Sequence, residues 1–313
     1  MEITTAAIQE AATRIAPHVR HTPILELETA ALDVPGRAFP RCRVILKLDF
    51  LQPAGTFKIR GAFNLLLSHR PELVIAASGG NFALAIARAA DVLGLRAHLF
   101  VPDSSPPEKI RRLKESGAEV TVVAGVYRDA LATSKEFAAT NGGMLAHAYD
   151  QPEVVAGAGT CGLEILEQVP GVDTILVAVG GGGLIGGIAS AVRNRARVIG
   201  VETEGTPTLH AARVAGHPVD VEVGGLALSS LGSTRLGDIP WEAARQWVTD
   251  SLLVSDESVR EAQRLLWEQC RIVVEPGAAT TIAALLSGAY EPSADETIVA
   301  LLCGANVDPA TVA

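Results

Sequence analysis

Apolar residues in this chain follow two rhythms. Short runs at Val44 to Leu48, Leu73 to Ala77, Ala97 to Val101, Glu119 to Val123, Thr174 to Val179, Val198 to Val201 and Ile298 to Leu302 have the length and composition of strands. Between them the apolar positions recur at helical spacing: Leu84, Ile86, Ala87, Ala90 and Leu93 share one face of a helix predicted over Phe82 to Leu93. Further helices are expected over Glu108 to Ser116, over Tyr127 to Thr140 with Asn141-Gly142 as its stop, around Ala158 to Gln168, and from the Gly180 turn to Arg193. Ser255 caps another that runs through Val259, Ala262, Leu265 and Leu266, and Val273-Val274-Glu275-Pro276 opens the last. Met1 to Arg20 reads as an amphipathic helix and His21-Thr22-Pro23-Ile24 as a strand, whereas Gly216 to Pro240 shows no period. Strand alternating with helix predicts an α/β protein with parallel sheets and right-handed crossovers.

Composition narrows the partners. A length of 313 residues allows two lobes or one large unit, and a net charge of −9 without a Lys/Arg cluster excludes a phosphate-backbone partner, so no nucleic acid is expected. A small anionic or zwitterionic ligand then has to be met by a local positive site. Cys42, Cys161, Cys270 and Cys303 show no paired spacing and read as reduced thiols, and the histidines lack metal-ligand spacing. The uncharged stretch from Thr174 to Val192 approaches the length of a membrane span, yet Gly180 to Gly183, Gly186 and Gly187 make strand, turn and helix the better description. Glu2 and Glu10, and the lack of an apolar core, argue against a signal or transit peptide at the N-terminus, so no membrane partner and a cytoplasmic location are expected.

Three stretches carry candidate chemistry. In Gln52-Pro53-Ala54-Gly55-Thr56-Phe57-Lys58, proline and glycine make a turn, Thr56 is the expected N-cap, and Lys58 falls in the first helical turn. There the positive end of the helix dipole favours a neutral amine, the nucleophilic form; the plainer reading is a surface lysine beside Phe57. Ser78-Gly79-Gly80-Asn81, Gly180-Gly181-Gly182-Gly183 and Cys303-Gly304-Ala305-Asn306 each follow a strand, and in an open parallel sheet such turns gather at the carboxyl edge, where ligands bind. Four consecutive glycines suit a phosphate, because the backbone can approach closely and its N–H groups can converge; a tight packing turn is the alternative. Gly181 to Gly186 also matches G-x-G-x-x-G, with Glu202 ending the next strand, as a dinucleotide site requires. Ser78 and Asn81 can donate to a carboxylate or a ring hydroxyl, or can simply cap the following helix.

Taken in order, Lys58 in its turn, Ser78 to Asn81, Gly180 to Leu184, Val274-Glu275-Pro276 and Cys303 to Asp308 resemble the serine/threonine dehydratase and serine racemase branch of the tryptophan-synthase-β-like pyridoxal phosphate enzymes. The resemblance covers nearly the whole chain and implies fold type II, with two lobes that each hold an open, mostly parallel twisted sheet flanked by helices. A large cofactor-binding domain is expected over residues 1–72 and 148–313 and a small mobile domain over 73–147. The motifs end near Asp308, so a catalytic core without an effector module is the expectation. The resemblance implies that Lys58 forms the Schiff base with pyridoxal 5'-phosphate and that Phe57 packs beside the ring. It further implies that Asn81 bonds the ring hydroxyl, that the backbone of Gly180, Gly181, Gly182, Gly183 and Leu184 holds the phosphate, and that Glu275 and Cys303 complete the cofactor site. Cys303 stands where the family has a serine beside the pyridine nitrogen. Ser78, Gly79, Gly80 and Asn81 would bind the substrate carboxylate, with Arg128, which opens a helix after Gly125, as a second candidate clamp. The reaction implied is β-elimination of water from L-threonine or L-serine, giving a 2-oxo acid and ammonia, in a homodimer or higher homo-oligomer. Two positions depart from relatives. Gly79 lies where serine racemases have a serine acting as acid/base opposite the lysine, so a racemase, the main alternative, loses support, though a different 3-hydroxy amino acid remains open. Glu202 matches the first ligand of a divalent or monovalent cation site, but Thr208 stands where an aspartate is expected.

Overall fold

The computed structural model describes residues 2–33, 38–105 and 107–312. Its first half runs α1 (Thr5–Ile15), β1 (Ile24–Leu27), β2 (Arg43–Lys47), α2 (Lys58–His69), β3 (Leu73–Ala77), α3 (Asn81–Leu93), β4 (Arg96–Pro102), α4 (Pro107–Lys114), β5 (Glu119–Val123), α5 (Tyr127–Asn141) and β6 (Met144–Ala146). The second half adds α6 (Pro152–Gln168), β7 (Thr174–Ala178), α7 (Gly183–Val192), β8 (Arg197–Thr203), α8 (Thr208–Ala215) and α9 (Leu228–Leu231). It closes with α10 (Asp238–Trp247), β9 (Val248–Val254), α11 (Asp256–Cys270), α12 (Pro276–Ser287) and β10 (Thr297–Leu301).

Two sheets result. The six-stranded one has the order β1-β2-β10-β7-β8-β9 and is parallel except for β1, which pairs antiparallel with β2. The four-stranded one, β5-β4-β3-β6, is parallel throughout. Ile298 of β10 sits in register with Val44 of β2 on one side and Thr174 of β7 on the other, so β2, β10 and β7 end side by side. From β7 the chain moves outward to β8 and β9, whereas β10 and β2 lie on its other flank. In open α/β sheets, ligands bind outside the carboxyl ends of the strands at such a reversal.

Each sheet has its own core. Val44, Leu46, Ile175, Val177, Ile298 and Val299 belong to the larger one. Helix α2 buries Ile59, Ala62, Phe63, Leu65 and Leu66 in the other, with Val74, Ala76 and Ile86 of the four-stranded sheet and α3. Each large apolar side chain so buried contributes roughly 1.5–3 kcal/mol. That anchors a helix whose first residue, Lys58, is half-buried.

Several elements differ from the sequence expectation. His21 and Thr22 precede the strand; Thr22 is buried, its hydroxyl bonding Asp49 and its carbonyl accepting from Lys47. Helix α6 begins at Pro152, because the glycines that blur its period are packing positions: a Cβ at Gly157 would lie 2.6 Å from the Arg60 carbonyl, and one at Gly159 would lie 2.7 Å from that of Gly187. Strands β6 and β9 and helices α8 and α10 carry no clear signal in the sequence. The Thr174 to Val192 stretch is β7 and α7, buried in the larger core. Among the described residues no helix is long and apolar enough to cross a membrane.

Candidate active site

The turn after β2 is held from both sides. Ala54 and Gly55 adopt left-handed backbone angles (φ 67° and 68°), and the Gln52 amide bonds both backbone groups of Arg20. Phe57 N–H donates to the Cys303 carbonyl at 2.9 Å and Ala305 N–H to the Gly55 carbonyl at 3.0 Å, so the end of β10 pairs with the turn that delivers Lys58. Thr56 is extended and occupies the place before the cap residue, Phe57; its Oγ1 accepts from Lys58 N–H at 3.3 Å. Two residues on, fully buried Arg60 bonds Asp49, Thr160 and Glu164, and Lys47 reaches the same Glu164. A closed set of buried charges therefore underlies the lysine helix.

Lys58 Nζ donates to the Ala148 carbonyl at 2.8 Å and lies 5.0 Å from the Phe57 ring centre. Burial pulls its ammonium down to about 8, opposed by the neighbouring Cys303 sulfur. The Cys303 thiol is pushed up to about 12 by burial, reinforced by the Glu275 and Asp49 carboxylates. It is thus a neutral thiol beside an amine poised to lose its proton. The surface-lysine reading of Lys58 fails.

The glycine loop lies above the neighbouring strand β7. Gly182 has φ 89°, which favours glycine, and a Cβ at Gly181 would enter the Tyr149 ring at 2.2 Å. The N–H groups of Gly180, Gly181, Gly182, Gly183 and Leu184 donate to no acceptor among the described residues. Unpaired amides at the start of a helix are suited to receive an anion.

The dinucleotide alternative loses its acid at Glu202. That carboxylate is buried and accepts from Thr208 Oγ1 (3.0 Å), Leu209 N–H (2.8 Å), His210 N–H (2.8 Å) and Ser251 Oγ (3.2 Å). It caps α8 and is closed to a ribose. The same bonds occupy the oxygens that a cation would need, and Thr208 supplies a hydroxyl donor in place of a ligand. Among the described residues no cluster of histidine, cysteine and acidic side chains could hold a metal.

Across the cleft, Asn81 starts α3 but caps nothing. Its Nδ2 donates to Glu275 Oε2 at 2.7 Å, and its Oδ1 accepts from Asn306 Nδ2 at 2.8 Å; Asn306 also bonds the Ala54 carbonyl. Glu275, the residue before α12, is buried, not a solvated helix end. Burial raises its carboxyl above the ordinary value, against the lowering effect of the Lys109 ammonium, and its Oε1 has no partner among the described residues. Ser78 Oγ accepts from Gly80 N–H. The space beside Gly79 is filled: Ser105 Oγ stands where a Cβ would be. Arg128 is exposed on α5 and makes no hydrogen bond to these groups among the described residues, so the structure does not bring it to the site.

Sequence reasoning missed Ala148, Tyr149, Ser105 and Asn306 as site residues. Asn306 lies inside a recognised motif without a task there; the others come from loops after β4 and β6 whose meeting with the glycine turns has no local signature.

A half-buried lysine beside a neutral thiol, with a run of unpaired amides at the end of the neighbouring strand, is a set of groups able to receive a phosphate-bearing carbonyl compound. Residues 15–304 match the family model described as "Pyridoxal-phosphate dependent enzyme". The chain is 36% identical over 289 residues to the L-threonine ammonia-lyase of Geobacter sulfurreducens, covering 90% of this chain and 70% of that one. It resembles the structure of maize serine racemase (TM-score 0.91, 31% identity, 100% of this chain and 96% of that one). It also resembles the structure of a threonine deaminase from T.th. (TM-score 0.88, 34% identity, 97% of this chain and 99% of that one). The chain belongs to the pyridoxal-phosphate-dependent enzyme family, and its fold is that of the fold type II members.

Proposed function

We propose that the protein binds pyridoxal 5'-phosphate at Lys58 and eliminates water from a 3-hydroxy amino acid, L-threonine or L-serine, releasing 2-oxobutanoate or pyruvate and ammonia. The observation that carries this reading is the juxtaposition, near the adjacent ends of β2, β10 and β7, of an easily deprotonated half-buried lysine, a neutral thiol and a loop with unpaired amides. These residues fit the cofactor: the lysine can take its aldehyde, the amides of Gly180 to Leu184 its phosphate, and Cys303 the ring nitrogen. When bound, the cofactor supplies the electron sink that acidifies the substrate Cα–H.

The remaining work falls to the chain. With the cofactor in place, Lys58 would be the base for the substrate α-proton, and a value near 8 leaves part of the amine neutral at physiological pH. Cys303, neutral, leaves the ring nitrogen without the acidic partner that would hold it protonated. Phe57 would pack against the cofactor ring, Asn81 and Glu275 would border it, and the 78–81 loop would hold the substrate carboxylate and so orient the Cα–H bond toward Lys58. Residues 73–147 act as the mobile part that closes over this surface; the contacts of Asn81 with Glu275 and of Lys109 with the Ser229 carbonyl support that role. A cytoplasmic homo-oligomer is inferred from the family resemblance, and light scattering tests its size.

The test is 2-oxo acid release from a panel of 3-hydroxy amino acids by the cofactor-loaded protein, with chiral analysis of the residual serine. Pyruvate or 2-oxobutanoate as the main product is expected. D-serine as the main product would establish the racemase reading instead, and no reaction with any member of the panel would end both.

A further inference from the structure

Gly79 is not among the glycines in the left-handed region, so its backbone leaves room for an L side chain. What excludes one is Ser105. A Cβ at position 79 would lie 1.9 Å from Ser105 Oγ and 2.8 Å from Ser105 Cβ, with Val101 Cγ1 at 3.4 Å. Ser105 follows β4, its N–H bonded to the Pro102 carbonyl at 3.0 Å, while Ser78 N–H bonds the Phe100 carbonyl at 3.0 Å. The two loops thus leave neighbouring strands at one carboxyl edge, and the glycine admits the serine.

The donors around this point are unequally committed. Ser78 Oγ accepts from Gly80 N–H, which fixes its rotamer while leaving its own O–H free to donate, and the Asn81 amide is engaged by Glu275 and Asn306. The Ser105 hydroxyl, half-buried, has no hydrogen-bond partner among the described residues. We propose that Ser105 is a substrate-contacting residue whose hydroxyl takes the place of a side chain at position 79 and donates a hydrogen bond to the carboxylate of the bound amino acid. This rests on the reading of the 78–81 loop as the carboxylate site. Gly79 and Ser105 form one unit in which only one of the two positions can carry a hydroxymethyl group.

The experiment uses L-glycerate, the amine-free analogue of serine, which cannot displace Lys58 and so reports binding without turnover. Calorimetry on the cofactor-loaded protein should show Ser105→Ala weakening glycerate about tenfold, the usual effect of losing a hydrogen bond to a charged group, with KM for L-serine rising more than kcat falls. Gly79→Ser alone should lower both the melting temperature of the cofactor-free protein and glycerate affinity, and adding Ser105→Gly should restore both. Unchanged glycerate affinity in Ser105→Ala, no glycerate binding to the unmodified protein, or a Gly79→Ser protein as stable as the parent would each overturn the proposal. Failure of the elimination reading looks different: no 2-oxo acid from any substrate, with Ser105→Ala still weakening glycerate.

Discussion

Asn81 and Glu275 meet across the cleft at 2.7 Å, joining the first residue of α3 to the residue before α12 and so tying the four-stranded sheet to the six-stranded one. The bond also satisfies one oxygen of a carboxylate whose other oxygen has no partner among the described residues. Removing the amide leaves both buried oxygens without a side-chain donor. Asn81→Ala should therefore destabilise the protein by about 1–3 kcal/mol in urea denaturation, and Asn81→Asp, which sets two carboxyls against each other, should be no better. If residues 73–147 separate as a body, hydrogen exchange in α4 should quicken in Asn81→Ala, because the Lys109 contact with Ser229 then holds that helix without the Asn81 bond to share the load. Unaltered exchange would argue against a mobile 73–147 segment.

A second prediction concerns Lys58 in the cofactor-free protein. The unfolded chain holds this proton up to about 10.5, whereas burial releases it near 8 in the folded state. Between those values the unfolded state binds more protons, so stability should rise with pH across that window. Below pH 8 the full cost of desolvating the half-buried ammonium is present. Lys58→Met should be more stable than the parent there, by on the order of 3 kcal/mol, and should lack the alkaline rise. Thermal melts from about pH 7 to 10.5 decide it; parallel curves for the two proteins would mean that Lys58 holds an ordinary proton. The same titration should appear in the rate at which cofactor-free protein takes up pyridoxal phosphate, levelling off above pH 8.

Asp49 yields a prediction of opposite sign. Burial works against its charge, but the Arg60 guanidinium and Lys47 outweigh it and hold its carboxyl below the ordinary value near 3.8. The stability this pairing contributes is present above that value and lost as pH falls below it. Asp49→Asn leaves Arg60 buried with half its countercharge and should cost roughly 3–5 kcal/mol at neutral pH. It should also loosen cofactor binding, since Asp49 bonds the Gln52 amide that holds the Lys58 turn. A protein with parental stability at neutral pH would show that Glu164 alone neutralises the cluster.

The parts legible in the sequence are those whose physics is local. Strands β7 and β10 are buried on both faces of a parallel sheet and so read as unbroken apolar runs. The Lys58 turn is visible because Pro53 and Gly55 punctuate it, whereas the left-handed angle at Ala54 has no signal in its residue type. Strand β9, at the sheet edge with a register shift against β8, keeps neither a continuous nor an alternating pattern and escapes a reading by period. Glu202 looks free at a strand end because its four donors come from residues 208–210 and Ser251, which only the fold brings to it. Gly79 looks like a missing side chain for the same reason: Ser105 lies far along the chain and reaches it only once β3 and β4 are paired.

The tetraglycine loop gives the last prediction, because its glycines answer to two constraints that can be separated. A Cβ at Gly181 would sit inside the Tyr149 ring, 2.2 Å from Cδ1, whereas at Gly180 it would stand 3.1 Å from Leu231 Cα, a distance the surroundings can nearly absorb. If the ring is pushed away, the backbone segment shared with Ala148 moves as well, and Ala148 is the acceptor that holds Lys58 Nζ. Gly181→Ala should therefore disturb both the anion cradle and the lysine, weakening pyridoxal phosphate by roughly tenfold or more, while Gly180→Ala should be much milder. Truncating the ring in Gly181→Ala/Tyr149→Ala should recover a large part of the loss, since the added methyl group then has room. Inorganic phosphate binding to the cofactor-free protein distinguishes the two effects: it reports on the amides of Gly180 to Leu184 alone. Equal damage from both alanines, with no recovery in the double variant, would mean that backbone freedom in the loop matters more than the contact with Tyr149.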